Sequence, residues 1–100
     1  MTAYAITTDL MDGSKIRSGI DGVRVVRPGT DFDGATVIVV DLGLGGALDA
    51  ALTTGARVIA YGSHVDDEVL SDAAARGAEA MPRSLFFRRL REGTILDRDG

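Results

Sequence analysis

The sequence predicts a three-layer α/β domain: a parallel sheet with helices on both faces. Short apolar stretches alternate with helical segments along the whole chain, and turn residues close each stretch. The two clearest stretches, TVIVVD at 36–41 and RVIAY at 57–61, are β-branched and unbroken. A strand wetted on one side alternates apolar and polar residues. One covered on both sides by crossover helices reads as a continuous apolar run, as these two do.

Residues 3–7 form the first apolar stretch, and the first helix falls within 10–18, ended by Gly19. A second stretch, 23–26, is separated from the third, 36–40, only by RPGTDFDGA. That segment carries a proline and two glycines and falls short of the roughly ten to twelve residues a helical crossover needs. At most one helical turn is expected there. A short helix over 47–54 stops at Gly55 before the fourth strand, 57–61. The next helix, 67–76, sets Val69, Leu70, Ala73 and Ala74 on one face. Asp66 suits its N-cap, further acids its first turn, and Gly77 its end. After the fifth strand, 78–82, the last helix is expected to start at Ser84, bury Phe87 and Leu90, and stop at Gly93. The domain is therefore drawn as 1–93, with 94–100 a C-terminal tail.

One hundred residues suit one domain, and a chain of that size buries roughly 60–70% of its unfolded surface. With no cysteine, disulfides, thiolate metal sites and cysteine nucleophiles are excluded. The N-terminus lacks the basic start and long apolar run of a signal peptide, and the longest apolar run, 37–40, is strand-sized. A cytoplasmic domain without a membrane anchor is expected. A net charge of −4 argues against nucleic acid as a partner. The basic group Arg83, Arg88, Arg89 and Arg91 reads as a solvated helix face answering Asp66, Asp67 and Glu68.

In open parallel sheets, ligands collect beyond the C-terminal strand ends. That rule selects Asp9 after the first strand and Asp41 after the third. It also selects Gly62, Ser63 and His64 after the fourth, and Arg83 after the fifth. Mg²⁺ is commonly held by one or two carboxylates with waters, so Asp9 and Asp41 are the candidate ligands. Capping of the next helix is the competing role for each aspartate; it is the preferred reading for Asp9 taken alone, while Asp41, straight after four buried aliphatics, is as well placed for function. His64, the only histidine, is either a hydrogen-bonding residue at the rim or a loop residue pairing with Asp66 or Asp67.

VIVVDLGL is similar to the strand of response-regulator receivers that ends in the phosphoacceptor aspartate, and the resemblance places that residue at Asp41. RVIAYGSHVDDEVLSDAAARGAEAMPRSLF resembles the second half of a receiver: apolar strand, small turn, acid-started helix, short strand ending in a basic residue. The resemblance covers about 34–91 well and the first third loosely. It implies a flavodoxin-like, receiver-like five-stranded sheet in the order 2-1-3-4-5, with the second and third helices shortened. It also implies a non-enzymatic signalling role and a protein partner.

The departures weaken the chemistry. Receivers carry an acidic pair where Thr8-Asp9 offers one acid, a hydroxyl where Gly62 stands, and a lysine where Arg83 stands. Arginine is a planar fork, not a compact ammonium. Losing one metal carboxylate removes an attraction of about 4 kcal/mol at about 4 Å and an effective dielectric of about 20. A pseudo-receiver with weak or absent phosphorylation at Asp41 is expected; a phosphorylatable stand-alone receiver is the alternative.

Two other classes compete. Asp41-Leu-Gly-Leu-Gly-Gly-Ala47 also looks like the glycine-rich motif with which methyltransferases hold an adenosine-type cofactor, but it follows the third strand rather than the first. Dinucleotide binding fails because Leu48 stands at the third glycine. The other class is a pure interaction module, including a homodimer. Receivers use the face corresponding to about 68–91, where Phe86, Arg88 and Arg89 are the candidate contact residues. Phe86 and Phe87 stand about 100° apart on a helix, so one of them is expected to be at least partly exposed.

Overall fold

The computed structural model describes residues 1–97. In chain order it contains β1 (Ala3–Ile6), α1 (Leu10–Gly19), β2 (Arg24–Val26), β3 (Val37–Asp41) and α2 (Ala47–Leu52). Then come β4 (Arg57–Gly62), α3 (Asp67–Ala75), β5 (Glu79–Pro82) and α4 (Arg83–Glu92). The strands make one parallel sheet, β2-β1-β3-β4-β5, so the flavodoxin-like order holds.

The central strand explains the unbroken apolar run. Ile38 is in register with Tyr4 of β1 and Val58 of β4, and successive residues of β3 face opposite layers. Val37 and Val39 join Ile59, Tyr61, Phe86 and Leu90 beneath α1 and α4. Ile38 and Val40 join Tyr4, Ala60, Ala51 and Ala73 beneath α2 and α3. Either core would be lost if alternate residues were polar. Gly19 sets the spacing of α1 and α4: a Cβ there would lie 2.4 Å from Leu90, closer than carbon atoms approach.

The second crossover is shorter than the fold's usual form. No helix joins β2 to β3; residues 27–36 form turns. The second helix is therefore missing rather than shortened: Pro28 and the left-handed Gly29 and Gly34 turn the segment twice instead of letting a helix propagate. Phe32 covers the vacated sheet, its ring packed edge-on against Tyr4 at 5.6 Å, while the Tyr4 hydroxyl donates to the Asp33 carbonyl at 3.1 Å. The third crossover helix, α2, is short as expected, at six residues.

At the other end, α4 begins at Arg83, one residue before the expected start. Packing continues past Gly93, the expected domain limit. Ile95 is only 4% exposed and belongs to the α1/α4 core. Arg57 donates to the Leu96 carbonyl at 2.7 Å while gripping Glu79 through two bonds. The rest of the expected tail, 98–100, lies outside the described residues.

Candidate functional site

Because all five strands run parallel, their C-terminal ends share one edge, and Asp41 ends the central strand there. Its Oδ1 accepts a bond from the Gly43 amide at 2.9 Å, and its Oδ2 receives a long contact of 3.5 Å from the Thr7 hydroxyl. Half-buried, Asp41 lines a cleft of about 240 Å³ with Gly62, Ser63, Asp66 and Arg83. The crevice expected from topology thus exists, with four of its expected residues.

Asp9 and His64 do not join it. Asp9 is the N-cap of α1: its Oδ1 accepts from the Met11 and Asp12 amides, both at 2.9 Å. It faces a different cleft, with Thr8, Arg17 and Arg27. The capping role prevails because α1 starts at once after β1 and its first amides need an acceptor. His64 is exposed in the loop before α3, outside the cleft lining.

The charge missing from the cleft lies one turn deeper. Asp12, in the first turn of α1, is 2% exposed. Arg83 grips it with two parallel bonds of 2.8 and 2.9 Å, and the Tyr61 hydroxyl donates a third at 3.1 Å. The Arg83 guanidinium also lies 5.4 Å from the Tyr61 ring centre and 5.2 Å from that of Phe87. Burial works against a charge on Asp12, but the Arg83 bonds, its positive charge and the Tyr61 hydroxyl outweigh it and hold the carboxyl below its ordinary range. Burial, first of all, pushes the Tyr61 hydroxyl well above its ordinary value, reinforced by the negative charges of Asp41 and Asp12. Tyr61 is therefore a neutral donor at any physiological pH.

Sequence reasoning missed Asp12, Thr7 and Tyr61. A signal for Asp12 was present: Asp12, Ile16 and Ile20 recur four apart, so the acid stands on the buried stripe of α1 and needs a buried partner.

Asp9 and Asp12 are not available to hold Mg²⁺ beside Asp41. Asp9 is engaged as a cap in another cleft, Asp12 is neutralised by Arg83, and the guanidinium itself borders the cleft. Among the described residues, no group of three or more histidines and carboxylates is placed to hold a metal ion. At position 62 a Cβ would meet Leu42 at 3.4 Å and Leu70 at 3.6 Å, ordinary contacts, so a Cβ is accommodated there. In the loop after β3, the Gly43, Leu44 and Ala47 amides bond to Asp41 Oδ1, the Asp41 carbonyl and the Leu44 carbonyl. Those three amides are engaged within the loop instead of facing a phosphate.

The expected aromatic anchor needs correction. Phe86 is fully buried, stacked on Tyr61 at 4.6 Å, and Phe87 is 8% exposed. Both are covered because α4 packs on two neighbours at once: the sheet takes Phe86, while Lys15 of α1 covers Phe87 at 5.3 Å. Arg88 is exposed and Arg89 half-buried. Apolar surface lies elsewhere. Apart from Met1, the exposed large hydrophobics among the described residues are Leu10, Met11, Val65 and Val69, at the entrances to α1 and α3 around the Asp41 edge.

The fold has clear relatives among solved structures. The chain is similar to NtrX from Brucella abortus, solved with ADP, at 17% identity and a TM-score of 0.63, over 92% of this chain and 26% of that one. It is similar to the beryllofluoride-activated DrrB receiver domain at 17% identity and a TM-score of 0.63, over 98% of this chain and all of that one. A response regulator receiver protein from Pseudoalteromonas atlantica gives 14% identity and a TM-score of 0.64, over 94% and 93%. No family model and no curated protein sequence matches the chain. The fold is that of a receiver domain. No helix among the described residues is long and apolar enough to cross a membrane.

Proposed function

We propose that this chain is a pseudo-receiver: a small regulatory module that works by binding another protein, with weak or absent phosphoryl uptake at Asp41. The observation that carries the reading is the bidentate Arg83–Asp12 pair. The guanidinium that borders the Asp41 cleft is clamped to a buried carboxylate, and the acids contributed by the first strand end and first helix, Asp9 and Asp12, are used for capping and pairing. Large apolar side chains stand exposed at that edge beside its polar ones: Leu10 is 89% exposed and Val65 73%. Such side chains rimming a polar cleft suit a protein partner better than a small anionic ligand.

Titrating the protein with Mg²⁺ and beryllofluoride, followed by amide NMR, tests this reading. Resonances around Asp41 are expected to stay in place at millimolar concentrations. A saturable shift that Asp41→Asn removes would overturn the reading and leave a phosphorylatable receiver. Binding of an adenosine cofactor by calorimetry would instead favour a ligand site at the DLGLGG loop.

A further inference from the structure

The two helical layers carry opposite charge. On α1 and α4 stand Lys15, Arg17, Arg83, Arg88, Arg89 and Arg91, against only Asp12 and Glu92. On α2 and α3 stand Asp49, Asp67, Glu68 and Asp72, with no cation. The net charge of −4 conceals this division, because the acids outnumber the bases over the whole chain. Internal pairing takes up part of it, but no salt bridge among the described residues engages Lys15 or Arg91 on one side or Asp67 or Glu68 on the other. Arg83 is matched by Asp12, and Arg76, just past α3, by Asp49 and Asp72.

Each layer also presents a shape. Between α1 and α4 runs a groove of about 530 Å³, floored by Phe87 and Leu90 and edged by Ser14, Ser18, Lys15 and Arg91. On the opposite side of the sheet, the start of α3 is a ridge. Its Asp66, Asp67 and Glu68 are exposed, and Val65 and Val69 stand four apart among them, 73% and 43% exposed. A basic groove and an exposed acidic helix start with two apolar side chains are complementary in charge, and one chain carries both.

We infer that the α1/α4 groove of one copy receives the start of α3 from a second copy. Lys15 and Arg91 then face Asp67 and Glu68, and Val65 and Val69 enter between the helices. The two surfaces differ, so the contact is head-to-tail, and each docked copy leaves a free groove and a free ridge for further copies. Asp66 and Val69 also line the Asp41 cleft, so the docked copy covers its mouth. The contact does not depend on whether Asp41 accepts a phosphoryl group.

Sedimentation velocity of the full chain over a concentration series tests it. At about 10 mM salt, where screening extends about 30 Å, the mean sedimentation coefficient should rise with concentration; at about 1 M salt, where it extends about 3 Å, the rise should vanish. Arg91→Glu alone and Glu68→Arg alone should each stay monomeric, with circular dichroism confirming that both fold. Mixed in equal amounts they should associate again, because the ridge of the first still matches the groove of the second. Asp41→Asn should associate like the parent, which separates this inference from the reading of the cleft. A chain that stays monomeric at low salt up to millimolar concentration overturns the inference. So does association that either single reversal leaves intact, or a mixture that stays monomeric.

Discussion

Two aspartates a few residues from the same sheet edge have opposite surroundings. Asp41 is half-buried and held by one amide and one long hydroxyl contact. Asp12 is buried, accepts three side-chain bonds and faces a guanidinium. The residue placed by topology for chemistry is thus weakly held, while the one that anchors the edge lies on a helix. The difference teaches that Arg83 acts here as a structural bolt. It ties the start of α4 to the first turn of α1 on the same face of the sheet, and Tyr61 supports it from β4.

Removing that bolt should have the largest effect. Arg83→Ala leaves the Asp12 carboxylate buried without its counter-charge, a class of change that costs about 3 kcal/mol or more. Arg83 is itself partly exposed, with 44% of its side chain open to water. The lower end, about 3 kcal/mol, is therefore expected in urea unfolding. Arg83→Lys should recover part of the loss, because an ammonium replaces the charge but not the two parallel bonds.

The pH dependence sharpens the same contrast. The folded carboxyl of Asp12 is held below its ordinary value, so the folded state binds fewer protons there than the unfolded chain does. Its stabilisation is fully present above the unfolded value of about 4 and is lost as pH falls through the lower, folded one. In Arg83→Ala, burial dominates and the sign reverses: protonating Asp12 relieves a buried charge. The stability gap between parent and variant should therefore begin to narrow above about pH 4, as the variant's Asp12 protonates, and go on narrowing below about 4 as the parent loses its own stabilisation. A gap that stays constant would remove Asp12 as the partner that matters.

A smaller effect is expected from Tyr61→Phe. The ring keeps its stack on Phe86, and Asp12 keeps both bonds to Arg83, so only the hydroxyl contacts are lost. A cost of about 1 kcal/mol follows. The variant should also lose the alkaline destabilisation that Tyr61 imposes. A phenol pushed upward by burial stays protonated in the fold while the unfolded chain ionises near pH 10, so parent stability should fall above that pH.

Much of this was legible in the sequence, for identifiable reasons. The parallel sheet could be read because TVIVVD and RVIAY have no polar alternate residues, which only two-sided burial permits. Asp41, Gly62, Ser63 and Arg83 could be placed at one cleft because strand ends fix their position whatever the side chains do. For Asp9 the sequence admitted a metal candidate and, with preference, a helix cap; the cap is what the structure shows, because the first amides of α1 need an acceptor. The expectation that Phe86 or Phe87 stays partly exposed failed because the 100° rule describes an isolated helix, whereas α4 packs against both a sheet and α1. The Asp12–Arg83 pair joins residues 71 apart in sequence, and only their third dimension unites them.

The smallest expected effects lie at Asp41 itself, and they are the most telling. Asp41→Asn keeps the acceptor for the Gly43 amide and removes a half-exposed charge, so unfolding should move by no more than about 0.5 kcal/mol. Gly62→Ser should also be nearly neutral, because the new Cβ would sit 3.4 Å from Leu42 in ordinary contact. If the cleft lacks only a hydroxyl, Gly62→Ser should make the protein respond to Mg²⁺ and beryllofluoride through Asp41. If the fixed Arg83 is the real obstacle, Gly62→Ser alone should leave the NMR spectrum unresponsive, and only the addition of Arg83→Lys should change it. We expect the second outcome, because a serine supplies a donor but does not release the cation from Asp12.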